Sequence, residues 1–126
     1  MKAVIKTMHS ADLNVILGKD FEEYEPIEKD FFGFDFSIEV GPLNERGQEI
    51  FNFLVASPKF LTERYYHQKG KKAVFGRHII IMFEYDFNEL YTLVNEYIKK
   101  LDEPNWDILA TKIGRIGRWE FEDYQE

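Results

Sequence analysis

Three histidines and their polar neighbours are the first groups in this sequence that could perform catalysis. His9 ends an alternating N-terminal stretch and Asp12 follows three residues later, a spacing that suits an acid-base pair or polar residues capping a turn. His67 lies among lysines and an arginine, which disfavour a charged imidazole. Arg77 and His78 precede a long apolar run, either as part of a site at the end of a strand or as polar residues at the margin of a sheet. These two residues are the strongest catalytic candidates.

Other motifs of enzymes and metal sites are missing from the sequence. It contains no cysteine, and the His-x-x-x-His and Glu-x-x-His spacings of metal sites are absent. Residues 114–118 hold two glycines and two arginines, but they follow a predicted helix and lack the phosphate-loop pattern, which favours a helix C-cap. We therefore expect no metal, no cofactor and no enzymatic activity. The alternative is a small enzyme that uses Arg77, His78 and Glu120 in acid-base chemistry.

Acidic residues are concentrated in two blocks of the chain, each interleaved with aromatic residues. Residues 1–63 hold 12 acids and 6 bases, whereas residues 64–126 hold 11 acids and 10 bases. One block is 20–30, with six acids, and the other is the last eight residues, with four acids and no base. Such blocks serve solubility, or they attract a basic protein that aromatic side chains then anchor. On the second reading, the partner-binding candidates are Glu22, Glu23, Tyr24, Glu25, Trp119, Glu120, Glu122, Asp123 and Tyr124.

The pattern of apolar residues predicts strands in the first half of the chain. Residues 2–8 alternate loosely, residues 34–40 alternate without error, and residues 50–55 follow after turn residues, which predicts a strand and then an antiparallel hairpin. Ser57 and Pro58 predict the start of a short helix that runs toward Gln68. Residues 74–85 form the most apolar stretch, which predicts a central strand covered on both faces.

Two helices are predicted after that strand. Asp86 is a helix cap, and residues 87–101 repeat apolar side chains at helical spacing. Residues 106–113 predict a shorter helix that ends at Gly114 or Gly117, and residues 118–124 an edge strand or a surface segment. The sequence therefore predicts an α+β fold: a mixed or mainly antiparallel sheet with helices packed on one face.

Length, composition and net charge limit the kind of protein this is. The 126 residues predict one domain over 1–126, and 44% hydrophobic residues predict a globular chain. A formal net charge of −7 disfavours nucleic acid and anionic membranes as partners. The sequence has no signal peptide and no apolar run long enough to span a membrane, so we expect a cytoplasmic location.

Several motifs, mostly in the second half, form a recognisable set. They are Phe75-Gly-Arg-His78, Trp106, the run from Gly114 through Gly-Arg-Trp119 to Tyr124, Ser57-Pro-Lys-Phe-Leu61 and the first ten residues. Together they resemble the immunity protein 8 family of bacterial polymorphic toxin systems over nearly the whole chain. The resemblance implies a small cytoplasmic antidote, encoded beside a toxin, that binds the cognate toxin domain and blocks it without catalysis.

The charge of the chain, and not the resemblance, indicates the kind of toxin. Toxin domains that attack nucleic acid are basic, so an acidic protein can occupy their groove, and we expect the toxin to be a nuclease. A third hypothesis is a module that only self-associates through its aromatic tail. The sequence does not decide the oligomeric state.

Overall fold

The structure, a computed structural model, describes residues 1–13 and 20–122. The elements are β1 (Ala3–His9), β2 (Gly33–Pro42), β3 (Glu49–Ala56), α1 (Pro58–Leu61), β4 (Ile79–Ile81), α2 (Phe87–Lys99), α3 (Trp106–Ile113) and β5 (Arg118–Trp119). A π-helical segment, Thr62–Gln68, continues α1 without a break. The order of strands and helices is the one that the sequence predicts.

An antiparallel hairpin of β2 and β3 forms the middle of the sheet. Its register places Phe34, Phe36 and Ile38 opposite Val55, Phe53 and Phe51. All six side chains are buried, because alternate residues of a strand point to the same face. The turn between the strands contains left-handed backbone at Asn44 (φ 66°) and Gly47 (φ 101°), residue types that tolerate this conformation.

The remaining strands make the sheet mixed. β1 pairs antiparallel with β2, and the two-residue β5 pairs antiparallel with β3. β4 instead runs parallel to β3 and pairs with the same edge of β3 as β5 does. The structure therefore confirms the predicted α+β fold with a mixed, mainly antiparallel sheet.

Two capped helices cover the apolar face of the hairpin. The Asp86 carboxylate accepts a hydrogen bond from the Glu89 N–H (3.2 Å) at the start of α2, and the Asn105 side chain caps α3 through the Ile108 N–H (3.0 Å). Their buried residues are Leu90, Val94 and Ile98 of α2 and Leu109, Ala110 and Ile113 of α3. These six residues belong to the same hydrophobic cluster as the buried face of β2 and β3. The prediction of helices packed on one face is thus confirmed for α2 and α3.

The short helix between β3 and β4 begins where the sequence predicts. The Ser57 hydroxyl accepts a hydrogen bond from the Phe60 N–H (3.3 Å), and Pro58 occupies the first helical position. The same hydroxyl accepts from the Phe32 N–H (3.1 Å), so Ser57 also fixes the chain that precedes β2. No residue of α1 or of the π-helical segment is fully buried.

The prediction of a central strand over residues 74–85 is wrong. Only Ile79–Ile81 of this stretch is a strand, at the end of the order β1-β2-β3-β4, and in the described part of the chain it pairs with β3 alone. Phe75 and Phe83, which flank it, are 97% and 75% exposed. Most of the apolar run therefore lies on the surface, and only a few of its side chains, such as Ile80, reach the core.

Candidate functional site

Two aromatic side chains hold residues 20–25, the acidic segment, against the core. The Phe21 ring packs on Phe36 (centroids 5.3 Å apart) and stacks on Phe87 (5.4 Å). The Tyr24 ring packs edge-on against Phe34 (5.5 Å) and Tyr85 (5.0 Å). The acidic segment is therefore attached beside the start of α2, on the side of the sheet that the helices cover.

The carboxylates of the acidic segment lie in solvent. Glu22, Glu23 and Glu25 are exposed, whereas Tyr24 is half-buried. The Asp20 side chain accepts hydrogen bonds from the N–H groups of Glu22 (3.2 Å) and Glu23 (3.1 Å), which fixes a turn. The turn presents three exposed negative charges on a fixed backbone.

A pair of tyrosines joins the acidic segment to the loop before α2. The Tyr85 hydroxyl donates a hydrogen bond to the Phe21 carbonyl (2.5 Å). Burial raises the pKa of Tyr24. Burial also raises the pKa of Tyr85, and the nearby Tyr24, Asp86 and Asp20 raise it further. Both phenols therefore stay neutral at physiological pH, and the negative charge of this surface comes from its carboxylates.

An open groove of about 910 Å³ lies between the end of β4 and the first turns of α2. We call it the acidic groove; its exposed apolar residues are Ile81, Phe83 and Leu93, and its acids are Glu84, Asp86 and Glu89. Ile81, Phe83 and Leu93 are 54%, 75% and 59% exposed, and the lining contains no lysine or arginine.

A smaller depression connects the acidic groove with the acidic segment. It measures about 350 Å³ and is lined by Glu22, Asp86, Phe87 and Asn88. The acids of both features thus form one continuous negative surface with exposed apolar side chains in it. Aromatic and apolar groups within a charged surround are typical of protein interfaces.

The tail acids that the structure describes contact the protein itself. The Glu120 carboxylate accepts a hydrogen bond from the Ile50 N–H (3.0 Å), and Glu122 forms an ion pair with Arg77. The half-buried Trp119 donates its indole N–H to the Glu49 carboxylate (2.5 Å). Two further candidates, Asp123 and Tyr124, lie outside the described residues.

Arg77 and His78 meet a tail carboxylate, but it is that of Glu122. Glu122 pairs with Arg77, and its carboxylate lies 3.9 Å from the His78 Nε2 atom. Glu120, which the enzyme hypothesis named, instead binds the main chain of β3. The His78 Nε2 atom lies 3.0 Å from the Gly114 carbonyl, and the backbone of His78 is left-handed (φ 63°). These contacts fix the start of β4 to the end of α3.

Within residues 1–13 and 20–122, no group of three or more His, Asp or Glu side chains is placed to hold a metal ion. No helix in these same ranges is both long and apolar enough to cross a membrane.

The sequence patterns do not predict the acidic groove. They indicate a helix cap at Asp86 and no binding role for Glu84 or Glu89. The sequence does contain a signal for an acidic surface here, because residues 78–98 contain four acids and no lysine or arginine.

Fold and surface together define a small α+β protein whose distinctive feature is an acidic surface with exposed apolar side chains in it. The chain matches the family described as immunity protein 8 over residues 4–124, and it belongs to that family. Membership implies an immunity protein that acts against a toxin, with the toxin protein as its partner. Comparison with curated proteins and with solved structures gave no significant match.

Proposed function

We propose that this protein neutralises the cognate toxin domain of a polymorphic toxin system by stoichiometric occlusion, and that the toxin is a nuclease. The protein binds the toxin in the cytoplasm of the producing cell and covers the surface that engages nucleic acid. It performs no catalysis. Family membership supports an immunity role against a toxin.

The continuous negative surface of the acidic segment and the acidic groove is the observation that carries the proposal. Its acids include Glu22 and Asp86, which line one depression, and Glu84 and Glu89, which line the adjoining groove. A groove that binds phosphate is positively charged, so its field is complementary to this surface. The charges speed encounter and set orientation, while exposed apolar groups such as Phe83 provide buried contact.

Candidates named from the sequence take different parts in this proposal. Glu22, Glu23 and Glu25 steer the toxin, and Tyr24 supplies an aromatic contact beside them. Trp119, Glu120, Glu122, Asp123 and Tyr124 form a second contact region at the tail. Because Glu120 and Glu122 already accept intramolecular hydrogen bonds, we assign the tail to the rim of the interface.

Association kinetics with the toxin domain encoded beside this chain, inactivated at its catalytic site, test the proposal. We expect a complex at micromolar concentrations or below whose association slows as salt is added. The combined Glu22→Lys, Glu23→Lys and Glu25→Lys variant should associate about tenfold more slowly, because steering is lost.

A matched pair of single variants separates local from global charge. Glu22→Lys and Glu45→Lys change the net charge equally, and both residues are exposed. Glu45 lies in the hairpin turn, at the opposite end of β3 from the residues that pair with β4. Glu22→Lys should slow association and Glu45→Lys should not. Equal rates would remove the acidic segment from the interface, and the absence of any complex would contradict the proposal itself.

A further inference from the structure

The strand β4 has one free edge. It is the last strand in the order β1-β2-β3-β4, and among residues 1–13 and 20–122 no strand pairs with its outer side. The Leu54 N–H donates to the His78 carbonyl (3.0 Å), and the Met82 N–H donates to the Ala56 carbonyl (3.0 Å).

These two hydrogen bonds indicate which way the other main-chain groups of β4 point. In a parallel pair, alternate residues direct their N–H and C=O groups toward the neighbouring strand. Ile80, between the two bonds, therefore faces β3, and Ile81 directs its N–H and C=O outward. Such unpaired groups are a template for an added strand.

The end of this edge at Ile81 favours an extended segment with basic side chains, whereas Arg77 and Arg115 lie beside the edge toward Ile79. Ile81 borders the acidic groove, whose exposed Phe83 and Leu93 provide apolar contact area. Three acids, Glu84, Asp86 and Glu89, line the groove without any base. Strand addition derives affinity from main-chain hydrogen bonds and specificity from side-chain contacts beside the strand.

We infer that the free edge of β4 docks an extended, lysine- or arginine-bearing segment of the toxin domain, which adds to the sheet as a further strand. The inference rests on the proposed function and specifies the binding mode. A second copy of this chain suits the edge less well than a basic segment does, because each copy carries a formal net charge of −7 and two copies repel each other.

Two substitutions at Ile81 separate main-chain pairing from side-chain contact. Ile81→Pro removes an N–H that points away from β3, and proline is tolerated at such edge positions. We expect the dissociation constant of the complex with the inactivated toxin domain to rise about tenfold or more, as for a lost hydrogen bond and a displaced strand. Ile81→Ala keeps the N–H and should bind within about fivefold of the parent.

The outcomes distinguish this inference from the proposed function. Equal affinity of Ile81→Pro and the parent, with unchanged urea midpoints, would overturn strand addition while leaving toxin binding intact. Absence of a complex with the parent would overturn both. A dimer of the free chain that Ile81→Pro dissociates would assign the edge to a second copy and overturn the choice of partner.

Amide exchange in the parent complex provides a measurement that does not depend on how Ile81→Pro folds. The Ile81 amide should exchange about tenfold more slowly in the saturated complex than in the free protein, since strand pairing protects it. An Ile81 amide that exchanges at the same rate in both states would overturn the inference.

Discussion

At the scale of single residues, Asp35 fastens the chain that follows β1 to the middle of the sheet. Its carboxylate accepts hydrogen bonds from the Ser10 hydroxyl (3.1 Å) and from the N–H groups of Ala11 (3.1 Å) and Asp12 (2.8 Å). The Asp12 carboxylate returns a bond by accepting from the Asp35 N–H (2.8 Å). Each aspartate thus accepts a hydrogen bond from the main-chain N–H of the other. This structural role accounts for the two adjacent carboxylates.

Asp35→Ala should destabilise the fold by about 1–3 kcal/mol, because it leaves several hydrogen-bond donors without their acceptor. Urea unfolding monitored by tryptophan fluorescence measures the change. Glu39→Ala is a matched control on the same face of β2, where the carboxylate accepts one bond from Gln48 (2.5 Å). We expect it to change stability by less than about 0.5 kcal/mol. Equal costs for the two variants would contradict the role of Asp35.

The pKa of Asp35 gives this prediction a pH dependence. Burial raises its pKa, but the hydrogen bonds from Asp12, Ala11 and Ser10 lower it more, to below the ordinary 3.8. The stabilisation is therefore present above about pH 4 and is lost as pH falls through the folded value. For Asp12, the Asp35 N–H lowers the pKa, but burial and the Asp35 carboxylate raise it above its ordinary value. Acidification below pH 4 should therefore reduce the free energy of unfolding of the Asp35→Asn variant less than it reduces that of the parent.

At the scale of elements, sequence patterns predicted those parts of the fold that depend on near neighbours in the chain. Residues 34–40, which alternate without error, lie within β2. The side chains of Ser57 and Asp86 cap the two helices whose starts they predict. The position of β4 was not predictable in this way. A run of apolar residues indicates burial, but whether it lies at the centre or the edge of a sheet depends on which distant strands pair with it.

The turn between α3 and β5 approaches β3 closely at Gly117. A Cβ atom at this position would lie 2.5 Å from the Phe53 ring, so Gly117→Ala should cost about 1–3 kcal/mol through overpacking. Gly76→Ala is the control, because a Cβ there meets nothing within 4 Å. We expect urea unfolding to show Gly76→Ala to be neutral or slightly stabilised. If Gly117→Ala were as stable as the parent, the approach of Gly117 to Phe53 would be refuted.

At the scale of the whole molecule, the proposed binding surface joins acids from both halves of the sequence. The acidic segment comes from the half with 12 acids against 6 bases, and the groove from the nearly balanced half. The sequence identified the segment, but its position beside the groove depends on contacts such as that between the Tyr24 and Tyr85 rings (5.0 Å). Because these residues are distant in sequence, local patterns could not place them together.

The most direct test of the central claim is a titration of the active toxin domain, encoded beside this chain, with increasing amounts of this protein. The readout is cleavage of nucleic acid at a toxin concentration well above the dissociation constant. Stoichiometric occlusion predicts that cleavage falls linearly and reaches zero at one equivalent. Full inactivation by much less than one equivalent would indicate catalysis, and undiminished cleavage at several equivalents would contradict neutralisation.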